Sequence, residues 1–185
     1  PFLIIGVLQV VARFEFRWRF LMTPILASLA ALSFRHAGTF ATEEALWRQA
    51  GRVNPGSAIP HYNLGTVFDK QKRYDLALPE YDLALAKDAG HARAWFNRGT
   101  ALAHLSRSPE AIESFRKSMA LDPRNSIAFY YMSRLHEELG QPAAAAEDLR
   151  AGISANPSDA GLLPQLCRVL KTNGLPLGFG ELCPN

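Results

Sequence analysis

The chain has 185 residues and a formal net charge of +3. That excess comes entirely from residues 13–35: once Arg13, Arg17, Arg19 and Arg35 against Glu15 are set aside, sixteen charges of each sign remain, so the basic balance is no argument for a nucleic-acid partner. The five histidines, His36, His61, His91, His104 and His136, have no zinc-like spacing and no cysteine at ligand distance. The chain also carries no glycine-rich phosphate loop and no nucleophile elbow, so no catalytic, cofactor-binding or metal-binding residue is assigned.

Residues 1–36 differ in kind from the rest. Residues 1–12 are uncharged, 13–19 hold three arginines, Glu15 and Trp18, and 20–34 are again uncharged. The second apolar run reaches about 22 Å as a helix, short of the roughly 30 Å hydrocarbon core. Arg19 and Arg35 can snorkel and Trp18 suits the interface, so the sequence predicts a short spanning helix within a membrane segment over 1–38. The arginine loop belongs in the cytoplasm by the positive-inside rule, which delivers the rest of the chain to the periplasm or lumen. The first run reads as the tail of a longer apolar segment and the chain as a piece of a larger membrane protein. Two other readings stay open, a secretory signal peptide with 13–19 as its basic part and a buried soluble hairpin.

From residue 58 a block of 34 residues recurs three times, over 58–91, 92–125 and 126–159. The eighth place holds Gly65, Gly99 and Ser133, the twentieth Ala77, Ala111 and Ala145, and the twenty-fourth Tyr81, Phe115 and Leu149. Asp122-Pro123 and Asn156-Pro157 close the second and third copies, and Gly140 suits the turn inside the third. Ala89 and Ser106 depart from this pattern, and Pro79 inside a second helix predicts a kink. With His61-Tyr62-Asn63-Leu64-Gly65, Trp95-Phe96-Asn97-Arg98-Gly99 and Pro109-Glu110-Ala111-Ile112, the block resembles the tetratricopeptide repeat. The resemblance implies an all-α, right-handed superhelix of helical hairpins that share one core.

The period continues on both sides. Counting back 34 residues, Gly38, Phe40, Trp47, Ala50 and Pro55 stay in phase, so 39–57 reads as a leading half-repeat with a helix over 42–53. Beyond the third copy, Leu162, Leu163, Leu166, Val169 and Leu170 form an apolar stripe opposite Gln165, Arg168 and Lys171. This predicts a capping helix within 160–174, followed by a tail over 175–185. Cys167 falls at the eighth place of a would-be fourth unit, where a buried small residue is expected. Cys183 in the tail can reach it in an oxidising compartment, and the sequence allows that disulfide without demanding it.

The run Leu32-Ser33-Phe34-Arg35-His36, then Thr42-Glu43-Glu44-Ala45-Leu46-Trp47 and Asn54-Pro55, resembles the membrane-to-repeat junction of multi-spanning transmembrane and tetratricopeptide-repeat proteins. These are similar to O-mannosyltransferases of the polytopic glycosyltransferase class. Members often carry an asparagine and a tryptophan where His36 and Phe40 stand here. The resemblance implies catalytic acidic residues upstream of this chain, which would then be the acceptor-recruiting end. The other reading is a membrane-anchored scaffold for protein–protein interaction, with no active site of its own.

In the repeat family the concave groove is lined mainly by first helices. The places so implied hold Tyr62, Asn63, Thr66, Asp69 and Lys70, then Arg93, Phe96, Asn97, Thr100 and His104, then Ile127, Tyr130, Tyr131, Arg134 and Glu138. Asn63 and Asn97 share one place, and a side-chain amide offers both donor and acceptor to a peptide backbone. Tyr62, Phe96 and Tyr130 share another, as an aromatic row for a protein partner or as padding between helices. His61 reads as a packing residue, and His104 and His136 as surface contacts.

Overall fold

A computed structural model of the chain describes residues 42–176 and Cys183. The spanning helix, the landmarks Gly38 and Phe40, and most of the tail lie outside the described residues. By internal packing the chain divides into Pro1–Leu46 and Trp47–Asn185, the second of which carries the repeats. Among the described residues there are eight α-helices: α1 (Glu43–Val53), α2 (Ile59–Lys70), α3 (Tyr74–Lys87), α4 (Ala92–His104), α5 (Ser108–Leu121), α6 (Ser126–Glu138), α7 (Pro142–Ala155) and α8 (Leu162–Thr172). This is the all-α stack the repeats lead one to expect. None of these helices is long and apolar enough to cross a membrane.

Three hairpins, α2–α3, α4–α5 and α6–α7, stack in chain order, with α3 on α4, α5 on α6 and α7 on α8. Each apolar cluster draws on neighbouring units: Leu78 of the first unit packs with Leu102, Ile112 and Phe115 of the second and Met132 and Leu135 of the third. No unit could bury these faces alone, so the stack holds together by sharing them. The eighth place shows why small residues recur. A Cβ at Gly65 would lie 2.6 Å from Tyr81 Cε1, and one at Gly99 2.8 Å from Phe115 Cε1. Where the facing residue shrinks to Leu149, a buried Ser133 fits.

The turn inside each hairpin is built one way whatever residue supplies it. Lys72, Ser106 and Gly140 have φ of 59°, 58° and 69°, and Gly174 after α8 has 62°. The next residue's N–H reaches back to close the helix, Arg73 to Phe68 O and Arg107 to Leu102 O at 2.9 Å, and Gln141 to His136 O at 2.8 Å, a Schellman motif. The second helices end alike too, and Ala89 in place of a proline changes nothing there. Asp88 leaves helical angles as Asp122 and Asn156 do, and its carboxylate accepts from Gly90 N at 3.0 Å. At Pro79, where the sequence predicts a kink, α3 runs on unbroken. Pro79 is exposed, so the Asp75 carbonyl that loses its donor can be hydrated.

Candidate functional site

The first helices of the second and third units bring together four of the residues that the sequence places on a groove. Thr100 and His104 on α4 and Tyr131 and Arg134 on α6 line one cavity of about 180 Å³, with Ala103, Leu135 and Glu138. Arg134 approaches Glu138 at 3.5 Å, one turn along α6. The His104 ring stacks on Tyr74 at 4.2 Å between centroids. A second cavity of about 190 Å³ lies between α6 and α8, where Tyr130 and Ile127 meet Asp159, Leu162 and Gln165. Asp159 sits below its ordinary carboxyl range because Ser126 and the Gly161 amide hydrogen-bond to it.

The aromatic row is only half open. Tyr62, Phe96 and Tyr130 are all partly buried, and each packs on a different apolar cluster. Phe96 meets Phe115 and Tyr131 edge-on at 5.5 and 5.8 Å, and Tyr62 leans on His91 at 4.5 Å. The rings therefore pad the seams between units while each keeps part of its surface exposed. Asn97 Nδ2 donates to the Tyr62 hydroxyl at 3.5 Å, while Thr66 and Thr100 donate to the backbone carbonyl oxygens of Asn63 and Asn97 at 2.7 Å. Lys70 and Arg93 are exposed on α2 and α4.

The face of α2 that carries Tyr62 and Thr66 also holds a polar pair. Asp69 lies one and two turns along α2 from Thr66 and Tyr62 and so shares their face. Its carboxylate accepts from the Tyr81 hydroxyl at 3.4 Å. Burial pushes Asp69 above its ordinary value, although Tyr81 and nearby His104 pull it down. Burial, with the Asp69 charge second, pushes the Tyr81 hydroxyl well above its own.

One expectation from sequence changes and another gains detail. His136 is buried, not a surface contact: its Nδ1 lies 2.5 Å from Asp148 Oδ2, between α6 and α7. The place it fills is that of Phe68 and Leu102, which are core, so the register itself was the signal. His61, read as packing, is half-buried with Nδ1 2.8 Å from Glu80. Nothing in the sequence pattern hinted at a cavity of about 380 Å³ on the other flank of α4, lined by Trp95, Arg98, Pro109, Glu110, Glu113 and Lys117. Arg98 stands there at the place of Leu64 and Met132 and ties α4 to Asp82 and Ser114 at 2.6 Å each. Cys167 and Cys183 are bonded, with Cα atoms 5.6 Å apart. Among the described residues no cluster of His, Cys, Asp or Glu is placed to hold a metal ion.

Comparison with known proteins agrees with this architecture. The tetratricopeptide-repeat family model matches residues 29–92 and 62–126, together more than half of the chain. Among solved structures, MamA is 18% identical with a TM-score of 0.67, covering 76% of this chain and 82% of that one. YrrB, described as a TPR protein with an unusual peptide-binding site, is 26% identical with a TM-score of 0.60, covering 69% and 66%. The TPR domain of Arabidopsis OM64 is 24% identical with a TM-score of 0.56, covering 62% and 94%. No curated protein matches the sequence. With the period, the hairpin stack and the family model in agreement, the chain belongs to the tetratricopeptide-repeat family.

Proposed function

We propose that this chain is a protein-interaction scaffold whose groove, walled by α2, α4 and α6, takes an extended segment of a partner. The observation that carries the reading is the cavity between α4 and α6, where four residues from corresponding faces of two units converge and leave about 180 Å³ open. Half-buried rings held in place by packing offer contact area at little entropic cost. YrrB, similar in fold and repeat, is described as a TPR protein with a peptide-binding site, which supports the same use here.

The finer reading is a membrane-anchored scaffold on the extracytoplasmic side. Its support is the arginine cluster at Arg13, Arg17 and Arg19 between two uncharged runs, and the Cys167–Cys183 bond, which suits an oxidising compartment. Protease added to intact spheroplasts should then trim the repeats; protection there, with digestion only in inverted vesicles, would overturn this topology.

The groove is tested by a photo-crosslinking side chain at His104 or Tyr131, compared with one at exposed Arg116 on α5. The groove positions should join a defined partner in native membranes and the α5 position should not. Equal yields from both faces, or capture from α5 alone, would count against it.

A further inference from the structure

Asp69 is the least well answered charge on the groove wall. It is partly buried on α2, and its one hydrogen-bond donor is the neutral Tyr81 hydroxyl at 3.4 Å. Among the described residues no lysine or arginine forms an ion pair with it; besides Tyr81, the group that pulls its carboxyl down is His104. A desolvated carboxylate held this way is costly, and a cation at hydrogen-bonding distance is what relieves the cost.

The surroundings suit the stem of a cationic side chain as well as its head. Tyr62 is only partly buried on the same face of α2, and His104, stacked on Tyr74, is exposed; the methylenes of lysine or the plane of a guanidinium pack favourably on such rings. Asn97 Nδ2 donates to the Tyr62 hydroxyl and hydrogen-bonds Tyr81 as well, which leaves its side-chain oxygen as a further acceptor.

We propose that the face of α2 at Asp69, beside Tyr81 and His104, is a subsite for an arginine or lysine side chain of an extended partner segment, with its cationic head on Asp69. The assignment rests on the groove reading and adds the chemistry of what the groove selects. It gives the partner a basic residue in register with the first inter-unit seam.

The test uses the full chain and fluorescent octapeptide pools, acetylated and amidated, with the central residue fixed as arginine, lysine, citrulline or glutamate. Citrulline keeps the shape of arginine without its charge. The arginine and lysine pools should bind about tenfold or more tighter than the citrulline and glutamate pools, as expected for one charge-assisted pair. Asp69→Asn, nearly isosteric and still able to accept from Tyr81, should bring that ratio close to one while citrulline binding persists. Asp69→Lys should turn the preference towards glutamate, and Glu147→Gln on the exposed face of α7 should leave it intact. Equal binding of all pools by the unaltered protein would overturn the subsite and spare the groove. A preference lost in Glu138→Gln, in the cleft between α4 and α6, but kept in Asp69→Asn would also overturn it, by moving the selectivity to that cleft. Failure of every pool to bind would overturn the groove reading itself.

Discussion

Asp69 and Asp148 share a problem and differ in its solution. Burial raises both carboxyls above their ordinary value. Asp148 lies in the seam between α6 and α7, where His136 Nδ1 meets it at 2.5 Å; Asp69 lies on the groove wall, with a neutral hydroxyl 3.4 Å away. The seam solution recurs. The place of Asp148 is held by Glu80 in the first unit and Ser114 in the second, answered by His61 at 2.8 Å and Arg98 at 2.6 Å. These partners come from successive turns of the first helix, so the tie survives while its residues change. Polar groups in the seams are satisfied within a hairpin, whereas the groove keeps one that asks for something from outside.

The sharpest way to break this contrast is at His136. His136→Ala would leave Asp148 buried without its partner, a loss of about 3 kcal/mol or more. The expected readout is a large drop in the urea midpoint. A double His136→Leu, Asp148→Leu variant should recover most of it, because replacing both partners removes the unmet group. A single-variant loss below about 1 kcal/mol would mean that the pair contributes no more than an exposed one.

Next in size is the close approach that fixes the seams. Gly99→Ser puts a Cβ 2.8 Å from the Phe115 ring, an overpacking cost of about 1 to 3 kcal/mol. The same exchange reversed, Ser133→Gly opposite Leu149, should cost about 1 kcal/mol through chain entropy alone. Equal losses in thermal melts would show that the ring, as the reason for glycine at this place, had been misread.

Much of this was legible in sequence because repeats report burial by comparison. Gly65, Gly99 and Ser133 mark the closest helix approach, and Phe68 and Leu102 at the place of His136 point to its burial. Thr100, His104, Tyr131 and Arg134 were singled out by place alone, and all four line one cavity. Other features depend on how separate elements meet. Whether a cation reaches Asp69 is decided by the packing of α2 and α3 against α4, and Arg98 could be read as out of pattern but not as the tie to Asp82 and Ser114. Cys183 sits in a tail without periodicity, so its bond to Cys167 depends on where that tail returns.

A change that touches neither carboxylate sharpens the comparison by separating folding from capture. Lys72 and Ser106 hold left-handed backbone, which costs an L-residue roughly 1 to 2 kcal/mol and glycine nothing, less the entropy glycine gives up. Ser106→Gly should therefore stabilise the stack by about 0.5 to 1 kcal/mol, read as a raised melting midpoint with peptide-pool selectivity unchanged. A lower midpoint would mean that the serine hydroxyl outweighs the strain.

The smallest effect is expected at Asp69 itself, and its sign is opposite to that of most substitutions. Because burial raises the folded-state pKa of Asp69 above the ordinary aspartate value of 3.8, its contribution to stability is fully present below that value. It is lost as pH rises through the folded pKa. Asparagine does not titrate, so Asp69→Asn should melt higher than the unaltered chain at pH 7, with the difference shrinking on acidification and vanishing or reversing below the unfolded pKa. The Tyr81 hydroxyl moderates the gain, since it loses a charged acceptor for a neutral one. Saturation with the arginine pool should reverse the order at pH 7, because only the aspartate can use the bound charge. An asparagine variant that melts lower at neutral pH would show that Asp69 already has its partner inside the fold.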